Sequence, residues 1–387
     1  MSRLKKIFAF SLLLMVSACR EKYLPQLNEP TTGYLVVEGF INSGTGPTSI
    51  ALTRSTKLSN LASVTKETHA LVWVEGKTNR TSLRLLETSP GIYTNPQLSL
   101  NATDQYRLYI KTAAGKEYVS DYSVIRSTPD IDSISWRVEN GGVQIYANTH
   151  DDLAKTKYYQ FSYDETWEFT STFRTQLKVY NDRFGSPHHV GYRDSINASF
   201  DDKLFRCWKT NVPTNILINT TEKLTRDAVS LFPITYIERD SWKLSVRYSI
   251  NLKEYALSQS GYRFLEQLRK NTEQLGSIFD AQPSDNNGNL HCITTPNEVV
   301  IGFVEVSEVK QKRLFISNTQ VPGWNYNLYC RSQIKVPNVR DSIFQADGIP
   351  TTVAIGGRSG LDFVYFAMSE CVDCTLRGVN TKPVFWP

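Results

Sequence analysis

Five histidines, His69, His150, His188, His189 and His291, are a small stock for metal or acid–base chemistry in 387 residues. His188 and His189 are adjacent, so on a strand they leave on opposite faces and would not converge on one ion without a turn between them. Cys371-Val372-Asp373-Cys374 has the two-residue spacing of zinc knuckles and redox pairs, but no second such pair accompanies it. His291-Cys292 sets a thiol beside an imidazole, yet a nucleophile and its base are matched by geometry in space, which sequence neighbours seldom satisfy. Asp280, Asp285, Asn286, Asn287 and Asn289 offer oxygen ligands in one stretch. Their spacing departs from the EF-hand loop and lacks its closing glutamate, so a turn built by Asn and Gly is the default. No Gly-x-Ser-x-Gly, His-Glu-x-x-His or phosphate-binding glycine loop occurs. The expectation is therefore no catalytic set, no metal and no cofactor.

One carboxylate stands out. In Tyr158–Phe169, period two places Tyr159, Phe161, Tyr163, Trp167 and Phe169 on one face together with Glu165. A charge among aromatics is costly unless an arginine or backbone donors satisfy it. The reading is a structural ion pair or a bulge that turns Glu165 outward, with a raised-pKa acid or ligand contact as the alternative. Trp208, Trp242, Trp324 and Trp386 could face a glycan or peptide, but a β core needs such residues too, and core placement is the expectation.

These residues must be positioned by strands. The chain is 40% hydrophobic and 21% charged, which excludes wholesale disorder, and its aromatics are mostly Tyr (20) and Phe (18) while Met (3) is scarce. A mainly β protein follows. Met1–Lys6 carries Arg3, Lys5 and Lys6, Ile7–Val16 is an apolar run broken only by Ser11, and Val16-Ser17-Ala18 are mostly small residues before Cys19. That pattern predicts a secretory signal over residues 1–18 and is too short to span a bilayer. Without the segment the chain has 40 basic against 38 acidic residues, so no nucleic-acid footprint is indicated. Val16–Cys19 also resembles the bacterial lipobox, which implies that Cys19 is lipidated and becomes the first residue. Residues 19–32, with Pro25 and Pro30, read as an extended tether. The remaining cysteines, Cys207, Cys292, Cys330, Cys371 and Cys374, are odd in number, so at least one lacks a partner within the chain. In an oxidising compartment the tail pair is expected to join Cys330 or another cysteine as a structural disulfide.

The spacing of strand-like runs predicts tandem immunoglobulin/fibronectin-like β-sandwiches. Residues 33–127 form the first, with Thr103–Leu108 resembling a tyrosine corner at Tyr106, and Thr128-Pro129-Asp130 marks the boundary. Residues 128–387 form the second, opening with a hairpin that turns at Asn140-Gly141-Gly142. It is elaborated by an insertion over about 170–235, one α-helix over about 259–275 capped by Ser258 or Ser260, a hairpin of Val299–Val306 with Arg313–Ser317, and a cysteine-bearing C-terminal tail.

Leu35-Val36-Val37-Glu38-Gly39, Tyr158-Tyr159 through Glu165–Phe169, Gly276–Asp280 with Gly288-Asn289, and Cys371–Cys374 with Asn380–Trp386 together resemble the Bacteroidota outer-membrane lipoprotein family known as domain of unknown function 4249. The resemblance spans nearly the whole mature chain. It implies a lipid-anchored outer-membrane protein that accompanies a β-barrel, because members are typically encoded near TonB-dependent receptors, and it carries over no catalytic residues. The expectation is a non-enzymatic accessory or binding subunit of such a barrel, displayed at the cell surface rather than the periplasmic face. The alternative is a lipoprotein that captures a glycan or peptide for nutrient uptake.

Overall fold

The computed structural model describes residues 33–56, 65–193, 202–273, 288–330, 332–354 and 361–387. The signal segment, the tether and Cys19 lie outside the described residues, as do Asp280 and Asp285–Asn287. Two sandwiches and a smaller third unit are built almost entirely from antiparallel strands.

In the first sandwich, Leu35–Asn42 pairs with Thr48–Arg54, which pairs with Ile92–Asn95. The facing sheet holds Leu71–Gly76, Gln105–Lys111 and Glu117–Ser120. Ser82–Ser89 belongs to both: its first half pairs with Leu71–Gly76 and its second with Ile92–Asn95. Alternation drives this arrangement, because Val72, Val74, Tyr106, Leu108 and Ile110 point inward at every second position and are fully buried with Leu35, Val37, Ile50 and Leu52. Tyr106 is buried, and its hydroxyl accepts the Asn101 N–H at 2.6 Å, which ties down the loop before its strand.

Residues 288–307, placed in the second unit from sequence, supply strands to the first. Leu290–Cys292 adds to the edge strand Glu117–Ser120, and Val300–Ile301 and Val306–Ser307 pair in parallel with Leu35–Asn42. The expected hairpin between Val299–Val306 and Arg313–Ser317 therefore does not form. Two-residue pairings carry no readable period, and the backbone of Leu35–Asn42, apolar on both faces, needs hydrogen-bond partners on its second side. Gly302 (φ +146°) permits the approach: a Cβ there would sit 2.3 Å from the Val37 carbonyl oxygen.

The second sandwich faces Ile131–Glu139, Gly142–His150 and Ala228–Ile237 against a sheet centred on the thirteen-residue strand Tyr158–Thr170. Asn140 (φ 51°) and Gly141 (φ 81°) both take positive φ, as a two-residue primed turn between right-twisted strands requires. Tyr158–Thr170 is flanked on one side by Arg206–Asn211 and Leu217–Thr220 and on the other by Arg247–Ala256, which pairs onward with Val309–Ser317. Tyr159, Phe161, Trp167, Phe169, Tyr248, Ile250 and Leu252 fill the space between the sheets with Val143, Ile145 and Ile237. The expected helix runs Gln259–Glu273, with the Ser258 hydroxyl accepting the Gly261 N–H at 2.9 Å as its N-cap. It is joined by short helices at Asp202–Phe205, Arg340–Gln345 and Ser369–Val372, too brief to show a period in the sequence.

The segment expected as one insertion over 170–235 divides. Its later strands, Arg206–Asn211, Leu217–Thr220 and Ala228–Ile237, are integral to the second sandwich. Its earlier hairpin, Leu177–Asn181 with Pro187–Tyr192, packs on the three-stranded sheet Ile334–Pro337, Phe363–Ala367 and Ile349–Val353, sharing a core of Leu177, Val190, Val336, Ile343, Val364 and Phe366. The hairpin strands hide this role, since each buries one apolar residue, Leu177 or Val190, and the rest of the core comes from residues 336–366.

Candidate functional site

Glu165 is 1% exposed and fully engaged. Its carboxylate takes Lys243 Nζ at 2.7 Å, the Asn211 amide at 2.9 Å and the Tyr248 hydroxyl at 2.9 Å. The sequence indicated a buried carboxylate on the aromatic face; its partner is a lysine, from the 3₁₀ turn Trp242–Leu244, rather than an arginine or backbone donor. Burial, with Glu165 beside it, pushes the Tyr248 hydroxyl well above its ordinary range. With each oxygen hydrogen-bonded, this carboxylate ties the turn Trp242–Leu244 and the strands Arg206–Asn211 and Arg247–Ala256 to the central strand.

Cys207 bonds Cys374 and Cys330 bonds Cys371, while Cys292 is buried and free. The two cysteines of the tail pair thus take different partners, and Cys374 ties the tail to the strand Arg206–Asn211. His188 and His189 sit together on the exposed hairpin with their Nδ1 atoms 3.2 Å apart. His291 faces Asp121 at 3.0 Å, away from any thiol chemistry at Cys292, whose sulfur contacts Thr294. Among the described residues, no three His, Cys, Asp or Glu side chains converge as a metal ion would need. Asn289 is structural: its amide donates to the Val304 carbonyl and accepts the Val304 N–H, each at 2.8 Å.

The tail helps to form a site with room for a ligand. Beyond Cys374, Val379 bridges to Trp208 in both directions of the backbone, and Trp386 lies on the outer face of the central sheet, edge-on to Phe315. Trp386 donates its indole N–H to Glu168 at 3.0 Å, and Arg206 reaches the other oxygen of Glu168 at 3.4 Å. Between tail and sheet remains a pocket of about 420 Å³. Period two explains its chemistry: on Arg247–Ala256 the residues alternating with buried Tyr248, Ile250 and Leu252 are polar, and Arg247 stands opposite Glu168. Arg247 and Lys382 join Arg206 as cations on the wall, Ser317–Thr319 supply polar groups, and Trp208 closes the floor. Trp242 and Trp324 go elsewhere: Trp242 packs edge-on to Trp167 and Phe169, and Trp324 donates to the Ser241 carbonyl at 3.2 Å. Sequence reasoning named Trp208 and Trp386 but missed Arg206, Arg247 and Lys382. The alternation on Arg247–Ala256 was the available signal for a charged outer face.

No helix among the described residues is long and apolar enough to cross a membrane. No curated protein matches the chain. A solved structure described as manganese lipoxygenase of Gaeumannomyces graminis with a partial zonadhesin of Komagataella pastoris has 8% identity over 59% of this chain and 90% of that one. Its TM-score of 0.16 is too low to support any conclusion about fold or function. The profile described as Domain of unknown function (DUF4249) matches residues 20–313, most of the chain and all of the first sandwich together with the central strands of the second, and the protein belongs to that family.

Proposed function

We propose that the protein is a non-enzymatic lipoprotein of the Bacteroidota outer membrane, anchored through Cys19 and displayed at the cell surface, and that it serves as the accessory or binding subunit of a β-barrel, a TonB-dependent receptor. The observation that carries this reading is the leader, three basic residues, a ten-residue apolar stretch and Val16-Ser17-Ala18-Cys19, followed by a proline-bearing tether. Several acyl chains on one cysteine, at about 0.8 kcal/mol per buried methylene, anchor a protein without any inserted helix. Two disulfides that staple the tail suit an oxidising compartment outside the cytosol. A rigid β scaffold with loops and a helix at its periphery is the usual platform for docking a partner.

The test is gentle extraction of native outer membranes carrying a C-terminally tagged chain. One barrel should co-purify at near-stoichiometric amount, and a Cys19→Ala variant should lose both acyl labelling and that barrel. Recovery of the acylated protein alone would reject the accessory reading. The pocket of about 420 Å³ favours the second reading, capture of a glycan or peptide for uptake, in which ligand binding persists without any barrel.

A further inference from the structure

We propose that the pocket between the C-terminal tail and the outer sheet is a binding site for a sugar acid, its carboxylate held by Arg247 and Lys382 and its ring hydroxyls by Glu168 and Ser317–Thr319. The inference deepens the capture reading but needs neither lipid anchor nor barrel, so its failure leaves the accessory reading standing.

Three cationic side chains and one acidic side chain, Glu168, line this pocket, with Pro387 beside them. Glu168 is already engaged by Trp386 at 3.0 Å and Arg206 at 3.4 Å, so the charge of Arg247 and Lys382 is left over. Arg247 makes only one long contact, from Nε to the Ser317 hydroxyl at 3.4 Å, and the ends of its fork have no protein partner among the described residues. A planar guanidinium with free terminal donors is matched to a carboxylate in bidentate geometry. Trp208 is only 6% exposed, yet its indole N–H has no protein partner.

Glu168 selects among anions. A sulfate could use only the cations, whereas a molecule that carries hydroxyls beside its carboxylate can also hand hydroxyl protons to the Glu168 oxygens. Ser317, Asn318 and Thr319 extend that hydroxyl-reading surface. The volume, about 420 Å³, lies at the small end of ligand sites and holds one or two sugar rings. The disulfide Cys207–Cys374 and the Trp208–Val379 bridge keep the tail wall in place before any ligand arrives, so little ordering is required on binding.

The experiment titrates the full-length chain with D-glucuronate, D-galacturonate and N-acetylneuraminate, followed by calorimetry and by tryptophan fluorescence, with D-glucose and inorganic sulfate as comparisons. At least one sugar acid should bind saturably, and glucose and sulfate should bind at least tenfold more weakly. Arg247→Gln should weaken the sugar acid at least tenfold while leaving the melting temperature within a few degrees. If Arg247→Gln does not fold, Lys382→Gln, on the exposed tail, decides in its place. Failure of all three acids to saturate, sulfate binding as tightly as the best of them, or affinity unchanged in the variant would each overturn the proposal.

Discussion

Three buried acids in this protein are given very different partners. Glu165 keeps company with a lysine, an amide and a phenol. Glu305 accepts the Ser258 N–H at 3.1 Å at the start of the helix, and burial still holds its carboxyl above the ordinary range. Glu254 has only the Thr149 hydroxyl at 3.0 Å, its second oxygen is unpartnered, and burial pushes it up to about 8. An acid whose folded pKa exceeds its ordinary value of 4.5 binds a proton more tightly folded than unfolded, so stability falls as pH rises between 4.5 and about 8 and is level above that. Glu254→Gln removes this slope. The variant should melt higher than the parent at pH 8 by the equivalent of roughly 2–4 kcal/mol, at about 1.4 kcal/mol per pKa unit, and the two should converge near pH 4.5. Parallel melting curves for the two proteins across that range would contradict the assignment. Glu165 was legible in the sequence because strict alternation places it on an aromatic face; Lys243 was not, because a three-residue 3₁₀ turn has no period that could aim it there.

At the level of elements, what could be read was local and what could not was assembled from afar. The Asn140-Gly141 hairpin, the Ser258-capped helix and the Tyr106 tie each declare themselves within a few residues. The pocket instead gathers residues 168, 206 and 208, 246–247, 317–319, and 382 with 386–387 from five places, and no window of sequence contains it. Its tail wall depends on a covalent link whose ends are 167 residues apart. In the chain-entropy account, closing a loop of that size stabilises by about 5 kcal/mol, and measured effects run about 2–5. Cys207→Ser should lower the melting temperature, and it should loosen the tail before the sheet beneath it. Hydrogen exchange resolves the two: faster exchange at Val379 and Trp208, where tail and strand share backbone bonds, is expected, with Tyr248 and Ile250 still protected. Uniform exchange across both regions would show that the tail is not a separate layer.

For the whole molecule, the two sandwiches are not beads on a string. The chain passes from first to second at Ser127–Asp130, returns through the helix to Leu290–Cys292, and crosses again between Ser307 and Val309. Phe40 stacks on Tyr255 with centroids 4.4 Å apart, and the Ala256 N–H is shared by the Thr128 and Ser307 hydroxyls. A boundary at residue 127 is apt for the first crossing alone. The fragment 33–127 lacks the strands at 290–292, 300–301 and 306–307 that cover its two edges, and it should show no cooperative melting, whereas co-expression with 288–387 should restore β signal and protease resistance. A fragment that melts as sharply as the full chain would mean those strands are dispensable.

The parallel pairing of Leu35–Asn42 with the segment ending at Ser307 also has a mechanical side. A pull on residue 33, opposed by a load on the second sandwich through Val309, draws two parallel strands in opposite directions along their length. All of their shared hydrogen bonds are then strained together in shear, and none can be opened singly as in unzipping. A protein tugged at residue 33 would resist at the strand Leu35–Asn42.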